Sequence, residues 1–425
     1  MNLSPEAQDL NERLEAEAPQ VFQALSPLAR RAFFPKGIPY QANQSAACAI
    51  NATIGQITDG FGNPLPLARL GELLSGLSAK DAFLYSPIQG RPKARQLWHE
   101  KLAKEDVRME GIGLPAVTAG ICHAISMGAE LFFSPGDTLL LPDLYWDNYE
   151  QIFGIRLEGR IERYPFYAPD LSGFNVDGLR RALETVPGKV HVLLDFPSNP
   201  SGYSPTPVEM RAIAEVLAQA AASRAVVVYC DDAYHGLVFE TTATSKSLFF
   251  ELIGRHPNLI PLKCDGITKE LSFFGGRVGF LTFGTSLAAA EILVDKSKSL
   301  IRSGIGSPVG LSQYLMEEEL LDPRHDDSFE ALRQILERRY RLLKNALSRP
   351  SGQWTVYPFN AGCFCLLELR SDLDAEDIRQ RLITEESVGV VAHGRRHLRL
   401  AFCSLKEAAI EPLVDALERV CGKSV

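Results

Sequence analysis

The chain has 425 residues, 46% hydrophobic and 23% charged, enough to bury a large core and to fold as two or three domains. Its 44 lysines and arginines stand against 52 aspartates and glutamates, and a net charge of −8 opposes any general affinity for nucleic acid or anionic membrane. No apolar run is long enough to span a bilayer and "MNLSPEAQDLNERLEAEAPQ" lacks the regions of a signal peptide, so a cytoplasmic protein handling small molecules is expected.

In chain order, Ser4 and Pro5 predict the cap and first turn of a helix running to about residue 25, an N-terminal arm or helix. From about 110 to 285, apolar runs alternate with helix-like segments: "DTLLLPD", "KVHVLLDFP", "RAVVVYCDD", "NLIPLKCDG" and "GRVGFLTFG". Continuous apolar strands separated by helices imply a mainly parallel sheet covered on both faces. "DSFEALRQILERRYRLLKNALSRP" predicts one long amphipathic helix joining two domains. After it, "GCFCLLEL", "DAEDIRQRLI", "HLRLAFC" and "EAAIEPLVDALERV" predict a smaller α+β unit. The eight cysteines form no CxxC pair and read as buried free thiols, not metal ligands.

Chemistry-bearing residues fall just beyond the apolar runs. Trp146 follows "LLLPD", Asn199 follows "HVLLDF", Asp231 follows "VVVYC" and Lys269 follows "LIPLKC". In an open parallel sheet, ligands bind beyond the carboxyl ends of the strands, so these four are expected to converge. Each has a plainer reading. Lys269 alone is a solvated lysine, Asp231 a helix cap (a role the neighbouring Asp232 could take instead), Trp146 a core aromatic and Asn199 a turn residue before Pro200. Arg399 in "HLRLAFC" could point outward from an exposed strand, and Phe364 in "GCFCLLEL" could be core.

The order and spacing of these segments carry a resemblance. "TKELSFFGGRVG" resembles the lysine segment of fold-type I pyridoxal-phosphate enzymes, with Lys269 followed by Gly275, Arg277 and Gly279 at +6, +8 and +10. Across nearly the whole chain the likeness narrows to class I aminotransferases of the aspartate and tyrosine type. It implies that Lys269 carries the cofactor and shuttles the proton between Cα and the cofactor's C4′, while Arg277 holds the phosphate. "INATIGQITDGFGNPLP" is similar to an early segment whose glycine, here Gly55, lets the substrate carboxylate approach the backbone. "YSPIQG" implies that Tyr85 reaches the cofactor phosphate of the partner subunit. "TAGICHAI" implies phosphate contacts from the backbone N–H groups of Ile121 and Cys122 at a helix start. By the same resemblance Trp146 stacks on the pyridine, Asn199 and Tyr234 meet the phenolic oxygen, and Asp231 pairs with the pyridine nitrogen. Arg399 clamps the substrate α-carboxylate, Phe364 lies beside it, and Arg302, in register with Pro308, reaches across the dimer to a side-chain carboxylate. Gly266 and Thr268 stand where the family has serines, so Arg277, Tyr85, Thr268 and backbone amides carry more of the phosphate.

The fold class so implied is α/β: a fold-type I transferase with a large domain on a mainly parallel, seven-stranded-type sheet, plus a smaller α+β domain. The expected division is an N-terminal arm and part of the small domain over 1–65, the large cofactor domain over 66–310, and an interdomain helix with the rest of the small domain over 311–425. The implied activity is ping-pong transfer of an amino group from an L-amino acid, aspartate or another acidic or aromatic one, to a 2-oxo acid such as 2-oxoglutarate. The implied assembly is a homodimer with shared sites, without nucleic-acid or membrane partners. A lyase, decarboxylase or synthase using the same cofactor is the alternative. A non-catalytic binding or regulatory protein is opposed by the intact Lys269, Asp231 and Arg277, and by the absence of a basic helix-turn-helix segment before residue 50.

Overall fold

A computed structural model describes residues 3–23, 25–33, 36–73, 77–78 and 83–422. Valine, leucine and isoleucine runs buried on both faces suit a pleated surface, and they form strands of one seven-stranded sheet. Its strands are β1 (Ala116–Thr118), β2 (Thr138–Pro142), β3 (Arg160–Tyr164), β4 (Val190–Asp195), β5 (Val226–Asp231), β6 (Leu259–Gly266) and β7 (Gly279–Phe283). The spatial order is β1-β7-β6-β5-β4-β2-β3. From β3 to β6 neighbours run parallel, while β7 lies antiparallel to β6 and to β1. Two strands escape the hydrophobic reading: β1 is only three residues long, and β3, "RIERY", is a charged edge strand with one buried residue.

A second, antiparallel sheet holds β8 (Trp354–Val356), β9 (Phe364–Leu369), β10 (Val391–His393) and β11 (His397–Ala401) in the order β10-β11-β9-β8. The helix His325–Leu347 leads into it, burying Leu332, Leu336, Tyr340 and Leu343 along one stripe. Arg339 on that helix donates to the carbonyls of Thr58 (2.7 Å) and Cys403 (2.5 Å), tying the early chain to the late one.

The N-terminal expectation needs correction. Ser4 Oγ accepts the Ala7 N–H at 3.1 Å and Pro5 opens a helix, but that helix ends at Glu17. Pro19 disfavours helical geometry at Ala18, so a second helix, Pro19–Gln23, starts anew; residue 24 lies outside the described residues. Further on, Ile50–Asn51 pairs in parallel with Val388–Gly389, and the Gln41 amide exchanges hydrogen bonds with the Ala392 backbone (3.0 and 2.8 Å). Six cysteines are buried, whereas Cys48 and Cys122 are only half-buried, Cys122 because it faces a cavity. Among the described residues no helix is long and apolar enough to cross a membrane.

Candidate active site

The carboxyl ends of β4, β5 and β6 open onto a cavity of about 290 Å³. Parallel pairing sets Asp195 beside Asp231 in register, the last residues of β4 and β5. The structure brings Gly55, Ile121, Cys122, Trp146, Asn199 and Asp231 to the walls of this cavity. Tyr234, Thr268, Lys269, Arg277, Phe364 and Arg399 complete the sequence-nominated set that lines it.

Lys269 lies just past β6, in the short helix Ile267–Glu270, with Nζ 4.8 Å from the Tyr234 ring centroid. It forms no ion pair within 4 Å among the described residues. Burial lowers its pKa, an effect partly offset by Asp231. Asp231 is buried, accepts the Tyr149 hydroxyl at 2.6 Å through Oδ2 and takes the Ala233 N–H at 3.1 Å through Oδ1. Burial pushes its pKa up to about 6, against the Tyr149 bond and the Lys269 charge, which pull it down. Asp232, the alternative cap on sequence, instead turns away to Lys263 and Ser247 because strand residues alternate faces.

The far wall belongs to Arg399, which is 2% exposed. Its register opposite Leu366 in the small sheet points it inward, not out to solvent. Nη1 donates to Asn199 Oδ1 at 2.8 Å, Nη2 to the Thr53 carbonyl at 2.5 Å, and the guanidinium carbon lies 4.2 Å from the Phe364 ring centroid. Arg399 Nε is buried without a partner among the described residues, a donor that a substrate carboxylate would satisfy. Gly55 packs so closely that a Cβ there would sit 2.5 Å from Phe364 Cζ, so only glycine lets the chain pass over this end.

At the opposite end, Gly120 (φ +91°) precedes the helix Ile121–Phe132, whose first N–H groups have no partner within the helix. A Cβ at Gly120 would stand 2.5 Å from Arg277 Nη2. Arg277 is exposed toward the cavity mouth, and its Nη1 donates only a long bond to the Phe274 carbonyl at 3.3 Å. The combination is an anion cradle: free helix-start amides, a guanidinium and the Thr268 hydroxyl. Cys122 is no thiolate here, since burial raises its pKa although Asn148 donates to its sulfur at 3.0 Å.

Residues 49–417 match the family of class I and II aminotransferases. The chain belongs to that family. It is 24% identical to an aspartate/prephenate aminotransferase of Cereibacter sphaeroides over 79% of this chain and 82% of that one. It is equally 24% identical to an arginine–pyruvate transaminase of Pseudomonas aeruginosa, over 85% and 86%. The fold matches that of an aminotransferase from Anaerococcus prevotii with a TM-score of 0.81, at 20% identity, over 94% of this chain and all of that one. The protein is therefore a pyridoxal-phosphate-dependent transaminase of fold-type I.

The residues present fit that cofactor: a cradle for a phosphate dianion, an ionisable carboxyl for the ring nitrogen, and an amine between them. Six further cavity residues, Ile38, Ile54, Tyr149, Asp195, Ala233 and Phe274, were not nominated from sequence. Tyr149 carried a usable signal, standing three residues after Trp146 with its ring edge-on to the indole at 5.6 Å. Two nominated residues lie elsewhere. Tyr85 is 96% exposed and Arg302 is exposed on the helix Leu287–Gly304, so neither lines the cavity of its own chain.

Proposed function

We propose that this aminotransferase works by ping-pong transfer, taking an amino group from an L-amino acid and passing it to a 2-oxo acid such as 2-oxoglutarate. The observation that carries the reading is Lys269, an amine without an ion-pair partner among the described residues, lining one cavity with Asp231 and the orphaned donor of Arg399. Ile121, Cys122, Thr268 and Arg277 would hold the cofactor phosphate, and Trp146, Asn199, Tyr234 and Asp231 its ring. Bound pyridoxal phosphate supplies an aldehyde that takes up the amino group and a protonated ring that draws electrons from Cα. Arg399 then fixes the substrate α-carboxylate, so that the Cα–H faces Lys269. Lys269 Nζ, kept basic but easily discharged by its burial, would accept the Cα proton and return it to the cofactor carbon that takes up the amino group. Asp231, as carboxylate, keeps the ring nitrogen protonated.

Aspartate is the first donor to test, with Arg302 of a second copy as the clamp for its side-chain carboxylate. Support comes from the exposure of Phe83, Leu84 and Tyr85 and of Leu287 and Ile292 on the helix that carries Arg302, surface that a homodimer would bury. A second donor class is favoured by Asp147. Its carboxylate forms no ion pair among the described residues and lines an adjoining cavity of about 310 Å³, which shares Trp146, Asn199 and Arg399 with the first. That suits a cationic side chain, as in the relative named for arginine.

The test is a single half-reaction: cofactor-loaded protein is mixed with L-aspartate or L-arginine and no acceptor. One equivalent of the matching 2-oxo acid per site is expected; release of carbon dioxide or ammonia would instead select the decarboxylase or lyase alternative. Mixing Lys269→Ala with Arg302→Ala subunits should restore aspartate turnover if the sites are shared between copies.

A further inference from the structure

Asp195 ends β4 beside Asp231, lines the cofactor cavity and is 8% exposed. Its two oxygens differ. Oδ2 accepts the Asn199 N–H at 2.8 Å, while Oδ1 is buried and has no hydrogen-bond partner among the described residues. Two ionised carboxylates side by side in a buried site repel strongly, and one of them holds its proton. Both feel the Lys269 charge, but Asp231 accepts two hydrogen bonds, from the Tyr149 hydroxyl and the Ala233 N–H, and Asp195 accepts a single N–H. An orphaned, buried carboxylate oxygen is costly to leave unpaired, whereas a protonated one becomes a donor free to serve a ligand.

We infer that Asp195 is held as a neutral carboxylic acid whose Oδ1–H is a hydrogen-bond donor into the cofactor cavity, next to the ionised Asp231. The surrounding charges agree. Burial first, then Asp231 and Asp232, push its pKa well above the usual range; Lys269 and the Asn199 N–H pull the other way and are outweighed. Tyr149 and Tyr234, the other titratable groups facing it, are themselves kept protonated by burial, with Asp195 adding to the effect. The acid therefore performs two tasks. Through Oδ2 it sets Asn199, whose Oδ1 in turn receives Arg399, linking the cofactor end of the site to the substrate clamp. Through Oδ1 it offers one proton to a cofactor oxygen without adding a second negative charge beside the ring.

The experiment is infrared difference spectroscopy on the holoenzyme at neutral pH, wild type minus Asp195→Asn, with ¹³C-labelled aspartate to mark the band. A C=O stretch of a protonated carboxyl in the wild type, lost in the variant, is expected; carboxylate stretches in its place would overturn the inference. Asp195→Ser serves equally if the asparagine variant does not fold, because the readout needs only the carboxyl removed. Cofactor dissociation gives a second readout. Asp195→Asn retains a donor and should bind within about threefold of wild type, while Asp195→Leu should bind about tenfold or more weakly. Tighter or equal binding by Asp195→Leu would mean that Oδ1–H donates nothing.

Discussion

Two lysines six residues apart, Lys263 fully buried and Lys269 half-buried, meet opposite surroundings. Lys263, inside β6, lies fully buried with Nζ 2.5 Å from Asp232 and 3.3 Å from Asp265, and Trp98 donates to Asp265 at 3.1 Å. Burial acts to lower its pKa, yet Asp232 and Asp265 outweigh that and raise it, so it stays a cation. Lys269, just past the strand, has no such pair, and its pKa falls. Asp231 and Asp232 repeat the contrast from the other side, adjacent residues facing opposite ways, one toward Lys269 and one toward Lys263. A lysine whose charge is satisfied holds the fold; one denied that satisfaction is available for proton transfer.

Substitutions can break this contrast. Lys269→Ala should reduce the half-reaction by at least about 10²–10⁴-fold while leaving the melting temperature near wild type, and stopped-flow turnover with unfolding curves would check both. If its activity survived, the proton carrier would be another group. Lys263→Met should do the reverse: a loss of about 3–5 kcal/mol in denaturant stability, because Asp232 and Asp265 are left buried and unpaired, with cofactor absorbance kept in the folded fraction. Equal effects of both variants on turnover would erase the division of labour.

Smaller effects sharpen it. In cofactor-free protein, burial raises the folded pKa of Asp231 to about 6, above its unfolded value. Folding is therefore favoured by protonation, and this share of stability is present at low pH and lost as pH rises through about 6. The stability of wild type minus that of Asp231→Asn should fall by about 2–3 kcal/mol between pH 4 and pH 7, and a flat difference would contradict the burial argument. Tyr149→Phe removes the hydroxyl that Asp231 Oδ2 accepts, so the Asp231 pKa should move up and the acid limb of the holoenzyme's absorbance titration should shift to higher pH. A loss of about tenfold in kcat/KM should accompany it.

Much of the fold was written locally. Apolar runs such as "HVLLDF" and "VVVYC" have no helical stripe and can be buried only as strands covered on both faces, and the amphipathic period of 325–347 admits only a helix. The short β1 and the charged β3 were not legible, because both are edge strands, which need a partner, not a pattern, to form. Lys269, Asp231 and Arg277 stand in a spacing that sequence alone displays, since each follows a strand or turn at a set distance.

What only the tertiary structure decided is who faces whom. Arg399 alternates along its strand like a surface residue, and the small sheet's packing against Thr53 and Asn199 makes it the most buried cation of the site. Asp195 and Tyr149 become partners of Asp231 through strand register and helix placement across 36 and 82 positions of chain, distances over which no local pattern carries information. The physical reason is that composition and periodicity decide which residues leave water, whereas the pairing of charges after they leave depends on long-range register.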